Sequence, residues 1–125
     1  MNHSLAVLIV DDLKFNRFAI RGILKQFDCE IFEANNGQEA LNLLKILTHP
    51  KILILLDIEM PILNGLEVLK VLKSLNTINL FVVITSSNDY FQYEKDLQYY
   101  DILGYLEKPV EKRNISQFID YVITN

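Results

Sequence analysis

A run of apolar residues that stops on an acidic residue constrains the fold of this chain more than any other feature. The residues from Ile52 to Leu56 are all aliphatic, and Asp57 follows them directly. Because nothing in the run alternates between apolar and polar, it predicts a strand buried on both faces, as in a parallel sheet covered by helices. An ionised carboxylate is costly to bury without a partner, so we expect Asp57 at the open carboxyl edge of the sheet, where such sheets bind ligands.

The rest of the chain repeats the pattern of a strand followed by a helix. Further apolar runs predict strands at Leu5–Val10, Cys29–Ala34, Leu80–Ile84 and Gly104–Glu107. Apolar residues at intervals of three and four predict a helix after each strand. Five such units in succession imply right-handed crossovers and a three-layer α/β fold, in which a doubly wound parallel sheet lies between helices.

The same spacing indicates which side of each helix faces the core. In the first helix, five apolar residues are predicted to face inward: Phe15, Phe18, Ala19, Ile23 and Phe27. The second helix is predicted to extend through Leu47 and to end before Pro50. A fourth helix, over Asp89–Tyr100, is expected from the length of that segment, which is rich in aromatic residues.

Composition and charge limit the classes of function. The 125 residues are most simply a single domain. The net charge of −4 and the lack of a Lys/Arg run argue against a nucleic-acid surface. The first apolar segment, Leu5–Val10, is too short for a signal peptide or a membrane span. The single cysteine, Cys29, excludes an internal disulfide and is expected to be a small buried residue. We therefore expect a cytoplasmic protein that contacts neither nucleic acid nor a membrane.

The predicted strand ends carry the residues with chemical potential. They are Asp11, Asp12, Asp57, Thr85 and Lys108. Because the carboxyl ends of parallel strands meet at one edge, we expect these side chains to converge. Carboxylates about 4 Å apart repel by about 4 kcal/mol per pair at an effective dielectric constant of about 20, and a divalent cation relieves this repulsion. Oxygen ligands without His or Cys favour Mg²⁺ or Mn²⁺ over zinc, and a lysine and a hydroxyl complement a phosphoryl group.

Four stretches together resemble a CheY-like response-regulator receiver domain of bacterial two-component signalling. They are VLIVDD at 7–12, LLDIEMP at 55–61 with Asn64-Gly65 following, VVITSS at 82–87 and GYLEKP at 104–109. No single stretch is specific, but all four occur in the family's order and spacing, and the similarity covers essentially all of residues 1–125. The resemblance implies a receiver domain with the flavodoxin-like strand order 2-1-3-4-5.

The resemblance also implies how the acidic residues act. Asp57 would accept a phosphoryl group from the phosphohistidine of a histidine kinase or a histidine phosphotransfer protein. Asp12 would bind Mg²⁺ directly and Asp11 would bind it through water. Glu59 would contribute its backbone carbonyl and Asp57 a carboxylate oxygen. The metal would neutralise charge during the transfer.

The remaining residues of the motifs would convert phosphorylation into a change of shape. Lys108 would pair with a phosphate oxygen, Thr85 would move to bond another, and Tyr105 would turn inward to fill the vacated space. The Lys108-Pro109 bond resembles the family's cis peptide. The face built from the fourth and fifth strands and helices would then bind a downstream protein or a second copy of the chain. Aromatic residues between Tyr90 and Tyr105 either form part of that face or cap the core.

Glu59 departs from the small amide side chain expected of chemotaxis-type members. A carboxylate two residues after Asp57 is expected to hinder the approach of a hydrolytic water, which predicts a long-lived phosphoryl group. On this interpretation the chain is a signalling switch, with slow loss of its own phosphoryl group as its only reaction besides acceptance.

Two other functions remain open. A phosphohydrolase of the haloacid-dehalogenase type also combines Asp, Lys and Mg²⁺. That family has a second Asp two residues after its nucleophile, where this chain has Glu59, and no cap domain is visible here. A flavodoxin-like cofactor carrier would need a phosphate-binding loop before the first helix, and the four scattered glycines form no such loop.

Overall fold

All the strands belong to one parallel sheet in the computed structural model, which describes residues 3–75, 79–87 and 93–125. The strands are β1 (Leu5–Val10), β2 (Glu30–Ala34), β3 (Lys51–Asp57), β4 (Leu80–Ser86) and β5 (Gly104–Glu107). Their order in the sheet is β2-β1-β3-β4-β5, and each neighbouring pair is parallel. The predicted α/β fold and the 2-1-3-4-5 order implied by the resemblance are confirmed.

The described residues form five helices between and after the strands. They are α1 (Lys14–Leu24), α2 (Gly37–Leu44), α3 (Gly65–Leu75), α4 (Glu94–Leu97) and α5 (Lys112–Thr124). Helix α2 ends at Leu44, earlier than predicted, and the N–H groups of Ile46 and Leu47 both bond to the Leu43 carbonyl in the turn that follows. Residues 89–92 of the predicted helix over Asp89–Tyr100 lie outside the described residues, and in the remainder of that segment the described helix is the short α4. In the part of the chain described, no helix is long and apolar enough to cross a membrane.

Both faces of the sheet are buried. Every residue of β1 is at most 2% exposed, and most of β3 is equally buried. Alternate residues of these strands pack against α2, α3 and α4 on one face and against α1 and α5 on the other. This two-sided burial explains why the apolar runs show no alternation.

The predicted inner face of α1 was wrong at its N-terminal half. Phe15 and Phe18 are 80% and 74% exposed, and Ala19 is also exposed. The buried residues of the helix are instead Ile20 and Leu24. Two large aromatic side chains of α1 therefore face solvent.

The geometry of the helix explains this error. Residues four apart advance by more than one full turn, so a line of such residues rotates about 40° at each step. The line through positions 15, 19 and 23 starts on the solvent side and reaches the core only at Ile23, which is partly buried. Phe27 is also partly buried, but it lies beyond the end of α1. Within α1 the predicted face is therefore correct at Ile23 and wrong at Phe15, Phe18 and Ala19.

Cys29 is buried beside the end of α1, as predicted. Its side chain is among the core residues, and its sulfur lies 3.8 Å from the backbone carbonyl oxygen of Leu24. Burial, and then the charge of Asp28, raise the pKa of the thiol. The cysteine therefore behaves as a small apolar residue.

Candidate functional site

The carboxyl ends of four strands bring together the polar residues singled out from the sequence. Asp57 is the last residue of β3, and it lies opposite Thr85 of β4 in the sheet register. Asp11 follows β1, and Lys108 follows β5. Asp11, Asp57 and Thr85 are at most 2% exposed. The predicted convergence of these strand ends is confirmed, and it places two carboxylates in a buried setting.

The ammonium group of Lys108 is shared by two buried carboxylates. Its Nζ lies 2.7 Å from Oδ2 of Asp11 and 3.0 Å from Oδ2 of Asp57. The Lys108 side chain itself is 15% exposed, and the Lys108-Pro109 peptide bond is cis. One cation therefore pairs with two buried anions. Burial of a charge is tolerated only when the charge has a close partner of opposite sign, and Lys108 provides that partner for both carboxylates.

A third carboxylate, that of Asp12, completes the acidic group. One carboxylate oxygen from each of Asp11, Asp12 and Asp57 lies within 4.8 Å of the other two. Three carboxylates and the one ammonium of Lys108 leave two negative charges uncompensated. A hard divalent cation with oxygen ligands matches both the charge and the donor atoms, so the residues fit Mg²⁺.

The electrostatics of the site appear in the pKa values of its members. Burial raises the pKa of Asp57 from 3.8 to about 6, against the opposing effects of the Glu59 backbone N–H and of Lys108. Burial alone would lower the pKa of Lys108, but the hydrogen bonds and charges of Asp11 and Asp57 outweigh it and raise that pKa. Lys108 therefore stays protonated. The ionised form of Asp57 is disfavoured because its burial removes it from water.

The start of α1 holds Asp11 in place. The carboxylate accepts a hydrogen bond from the backbone N–H of Leu13 at 2.9 Å and a longer one from the Asn16 side-chain amide at 3.3 Å. The Arg17 guanidinium donates to the Asp11 backbone carbonyl at 2.6 Å. Sequence reasoning gave Asn16 and Arg17 no role in the site. Their positions on the first turn of a helix that directly follows the acidic pair were the available signal.

The loop after β3 orients Asp57 through Glu59. The Glu59 backbone N–H donates to Oδ1 of Asp57 at 3.0 Å, which leaves Oδ2 to Lys108. The Glu59 side chain accepts a hydrogen bond from the hydroxyl of Ser86, at the end of β4, with an oxygen–oxygen distance of 2.9 Å. Each oxygen of Asp57 therefore has a protein donor, and Glu59 contacts two neighbouring strand ends.

A glycine is required where α3 begins. A Cβ atom on Gly65 would lie 2.6 Å from the backbone oxygen of Asp57 and 2.7 Å from Cα of Ile58. The Gly65 N–H also donates to the carbonyl of Ile58 at 3.2 Å. This close approach of two backbones fixes the loop that carries Glu59, and it explains the Asn64-Gly65 pair of the sequence motif.

Tyr105 lies on β5, two strands away from Asp57 in the sheet. It pairs in register with Ile84, the residue before Thr85, and its partly buried ring packs against the core cluster that contains α3 and α4. Tyr93 and Tyr100 pack against the same cluster, whereas Tyr99 is 63% exposed. Among the described residues, the aromatic side chains of this region therefore mainly cap the core; Tyr90 and Phe91 lie outside those residues.

Comparisons with known proteins place this arrangement in context. The family described as "Response regulator receiver domain" matches residues 7–120. The chain is 35% identical over 123 residues to a protein-glutamate methylesterase/protein-glutamine glutaminase of Clostridium acetobutylicum, a match that covers 96% of this chain and 35% of that protein. It is 34% identical over 110 residues to the autoinducer 1 sensor kinase/phosphatase LuxN of Vibrio campbellii, a match that covers 86% of this chain and 12% of that protein. The chain thus spans well under half the length of both relatives.

A solved structure has the same fold. The response regulator TrrA of Thermotoga maritima, determined in complex with Mg²⁺-BeF, superimposes with a TM-score of 0.79 at 24% identity. The match covers 94% of this chain and 97% of that one. The likeness confirms the doubly wound architecture.

Proposed function

The chain belongs to the response regulator receiver domain family, and from this premise we propose that Asp57 accepts a phosphoryl group from a phosphohistidine. The donor is a histidine kinase or a histidine phosphotransfer protein of a two-component system or phosphorelay. An oxygen of Asp57 bonds to phosphorus as the phosphorus–nitrogen bond breaks, and the imidazole nitrogen takes up a proton. The observation that carries the proposal is the buried Asp57 carboxylate, 3.0 Å from the Lys108 ammonium and within reach of two more carboxylates.

The acidic group is proposed to hold Mg²⁺, or Mn²⁺. Asp12 and Asp57 bind it directly, Asp11 through water and Glu59 through its backbone carbonyl. When bound, the ion supplies positive charge that stabilises the phosphoryl oxygens during the transfer. The two uncompensated negative charges of the site support this assignment.

Three further residues act on the phosphoryl group or respond to it. Lys108 pairs with a phosphoryl oxygen in addition to the carboxylates that it already contacts. Thr85, which lies opposite Asp57 in the register, moves to bond a second oxygen. Tyr105 then turns inward, which its place beside Ile84 on the adjoining strand permits. A phosphoryl group carries about 1.5 to 2 negative charges near neutral pH, which is enough to bias the packing of β4 and its neighbours.

The output of the switch is proposed to be a protein contact. The face formed by β4, α4, β5 and α5 binds a downstream protein or a second copy of the chain. The proposal takes residues 1–125 as one receiver domain that acts in the cytoplasm and contacts no nucleic acid or membrane. Receiver domains are signalling switches, so membership of the family favours this function over the phosphohydrolase considered from the sequence.

Mass spectrometry tests the proposal directly. The protein is incubated with Mg²⁺ and a small phosphodonor, beside the variant Asp57→Asn and the control Asp120→Asn, which removes an exposed carboxylate of α5. We expect a phosphoryl adduct on the wild type and on the control and none on Asp57→Asn. An adduct on Asp57→Asn would show that another residue accepts the phosphoryl group. Absence of an adduct on the wild type would contradict the proposed phosphoryl-accepting function.

A further inference from the structure

Ser86 connects the ends of three strands, although its side chain has no role in the function proposed above. It is the last residue of β4 and is fully buried. Its backbone carbonyl accepts the N–H of Lys108 at 2.8 Å, and its hydroxyl donates to Oε1 of Glu59 at 2.9 Å. The backbone of Ser86 thus supports the lysine, while its side chain acts only on Glu59 among these contacts.

The bond to Ser86 ties the Glu59 carboxylate to the end of β4. The backbone of Glu59 is held at Asp57 by the N–H bond to Oδ1, and Ile58 donates to the carbonyl of Thr85 at 3.1 Å. From this anchored backbone the Glu59 side chain reaches across to the end of β4. Because Asp57 and Thr85 lie opposite each other, the carboxylate is fixed beside the strand ends that flank the phosphoryl position.

We propose that Ser86 is a positioning residue that holds the Glu59 carboxylate beside Asp57 and thereby prolongs the phosphorylated state. The proposal rests on the proposed function of Asp57. When the phosphoryl group is lost, a water oxygen bonds to phosphorus, the bond from phosphorus to the Asp57 oxygen breaks, and the carboxylate re-forms with release of inorganic phosphate and a proton. A carboxylate fixed beside Asp57 is expected to hinder the approach of that water. A Glu59 side chain that is not held by Ser86 would hinder the water for only part of the time.

The substitution Ser86→Ala removes this contact. It removes the hydroxyl and keeps the backbone carbonyl that accepts from Lys108, and the smaller side chain fits the buried position. The substitution Glu59→Ala removes the carboxylate itself and keeps the backbone N–H that bonds Asp57. Ser74→Ala is the control, because the Ser74 hydroxyl lies exposed on α3 and donates to the carbonyl of Val71 within its own helix.

The test measures the lifetime of the phosphoryl group. Each variant, together with the double variant of Ser86 and Glu59, is phosphorylated with a small phosphodonor and Mg²⁺ and freed of the donor. Loss of the adduct is then followed by mass spectrometry. We expect Ser86→Ala and Glu59→Ala each to shorten the lifetime by about three- to tenfold, the scale of one hydrogen bond expressed as a rate ratio. The double variant should be no faster than Glu59→Ala alone, and Ser74→Ala should match the wild type.

The possible outcomes separate this proposal from the function on which it rests. An unchanged or longer lifetime in Ser86→Ala overturns the positioning role, and a longer one would indicate that Glu59 instead assists the attacking water. Effects of the two substitutions that multiply in the double variant also overturn it, because Ser86 would then act independently of Glu59. Adducts that form normally in all variants but decay equally refute only the role of Ser86. Failure of the wild type to form any adduct refutes the function and this inference together.

Discussion

Replacing Lys108 by methionine should destabilise the fold by an amount that the geometry of the site allows us to bound. The ammonium lies 2.7 Å and 3.0 Å from the two buried carboxylates, of Asp11 and Asp57. At an effective dielectric constant of about 20, each contact is worth about 6 kcal/mol of attraction before the cost of removing the charges from water. Breaking a buried pair typically costs about 3–5 kcal/mol after that offset, because it leaves a buried charge unpaired. We expect Lys108→Met to lose about that much free energy of unfolding in metal-free buffer.

The loss should depend on pH and on Mg²⁺ in predictable directions. Removal of the ammonium raises the pKa of Asp57 further, so the variant takes up a proton on Asp57 more readily at low pH. Protonation removes the unpaired buried charge, and the free energy of unfolding that the variant loses should therefore be smaller near pH 5 than near pH 7.5. Mg²⁺ should stabilise the variant more than the wild type, because the dication takes over the neutralisation that Lys108 provides.

Urea unfolding with and without Mg²⁺ measures these effects. The control is Lys112→Met, which removes an exposed lysine at the start of α5 and should change stability by no more than about 0.5 kcal/mol. If Lys108→Met were as stable as the control at neutral pH without metal, the shared ammonium would not be what permits the two carboxylates to be buried. If Mg²⁺ stabilised the variant and the wild type equally, the metal would not be neutralising the carboxylates that Lys108 contacts.

Three other predictions concern stability measured by urea unfolding. Burial raises the pKa of Asp57 from 3.8 to about 6, so the folded protein keeps a proton that the unfolded chain loses in this interval. Without metal, the stability of the wild type relative to Asp57→Asn should therefore be greatest below about pH 4 and fall as the pH rises through about 6; a flat difference would contradict it. Gly65→Ala should lose more than about 1 kcal/mol, because its Cβ would meet the Asp57 backbone, whereas Gly22→Ala, with nothing within 4 Å, should gain about 0.5–1 kcal/mol; equal effects would refute the close approach. Phe18→Ser should change stability by less than about 0.5 kcal/mol and Ile20→Ala should lose about 2–4 kcal/mol, whereas the reverse order would restore the original assignment of the α1 face.

The convergence of the site could be predicted from the sequence because it depends only on topology. Once β1, β3, β4 and β5 are recognised as parallel, their carboxyl ends meet at one edge whatever the details of packing. The order of the strands came from the family resemblance and not from periodicity. The distances from Lys108 to Asp11 and Asp57 confirm the convergence. The chemical roles of these residues remain proposals.

The orientation of α1 could not be predicted in the same way. Apolar residues occur around much of this helix, so the pattern alone allows more than one inner face. The deciding factor is the position of the helix on the sheet, where Arg17 and Arg21 bond the Glu33 carboxylate of β2 at 3.1 Å and 2.7 Å. These pairs accompany the rotation of the helix that buries Ile20 and Leu24, and they join residues that no local period connects.

The contact between Ser86 and Glu59 is invisible in the sequence for the same reason, and it also limits how the switch can move. The two residues are 27 positions apart, and only the register of β3 and β4 brings them together. Thr85 and Ser86 are consecutive, so if Thr85 moves toward a phosphoryl group as proposed, Ser86 must move with it or the backbone between them must rotate. Ser86 is held by Lys108 on one side and by Glu59 on the other. Phosphorylation adds negative charge beside the Glu59 carboxylate, so the bond from Ser86 must hold that carboxylate in place against the repulsion. The bond that holds the Glu59 carboxylate therefore also restrains the end of β4, and Ser86→Ala should make that end easier to move as well as shorten the lifetime of the phosphoryl group.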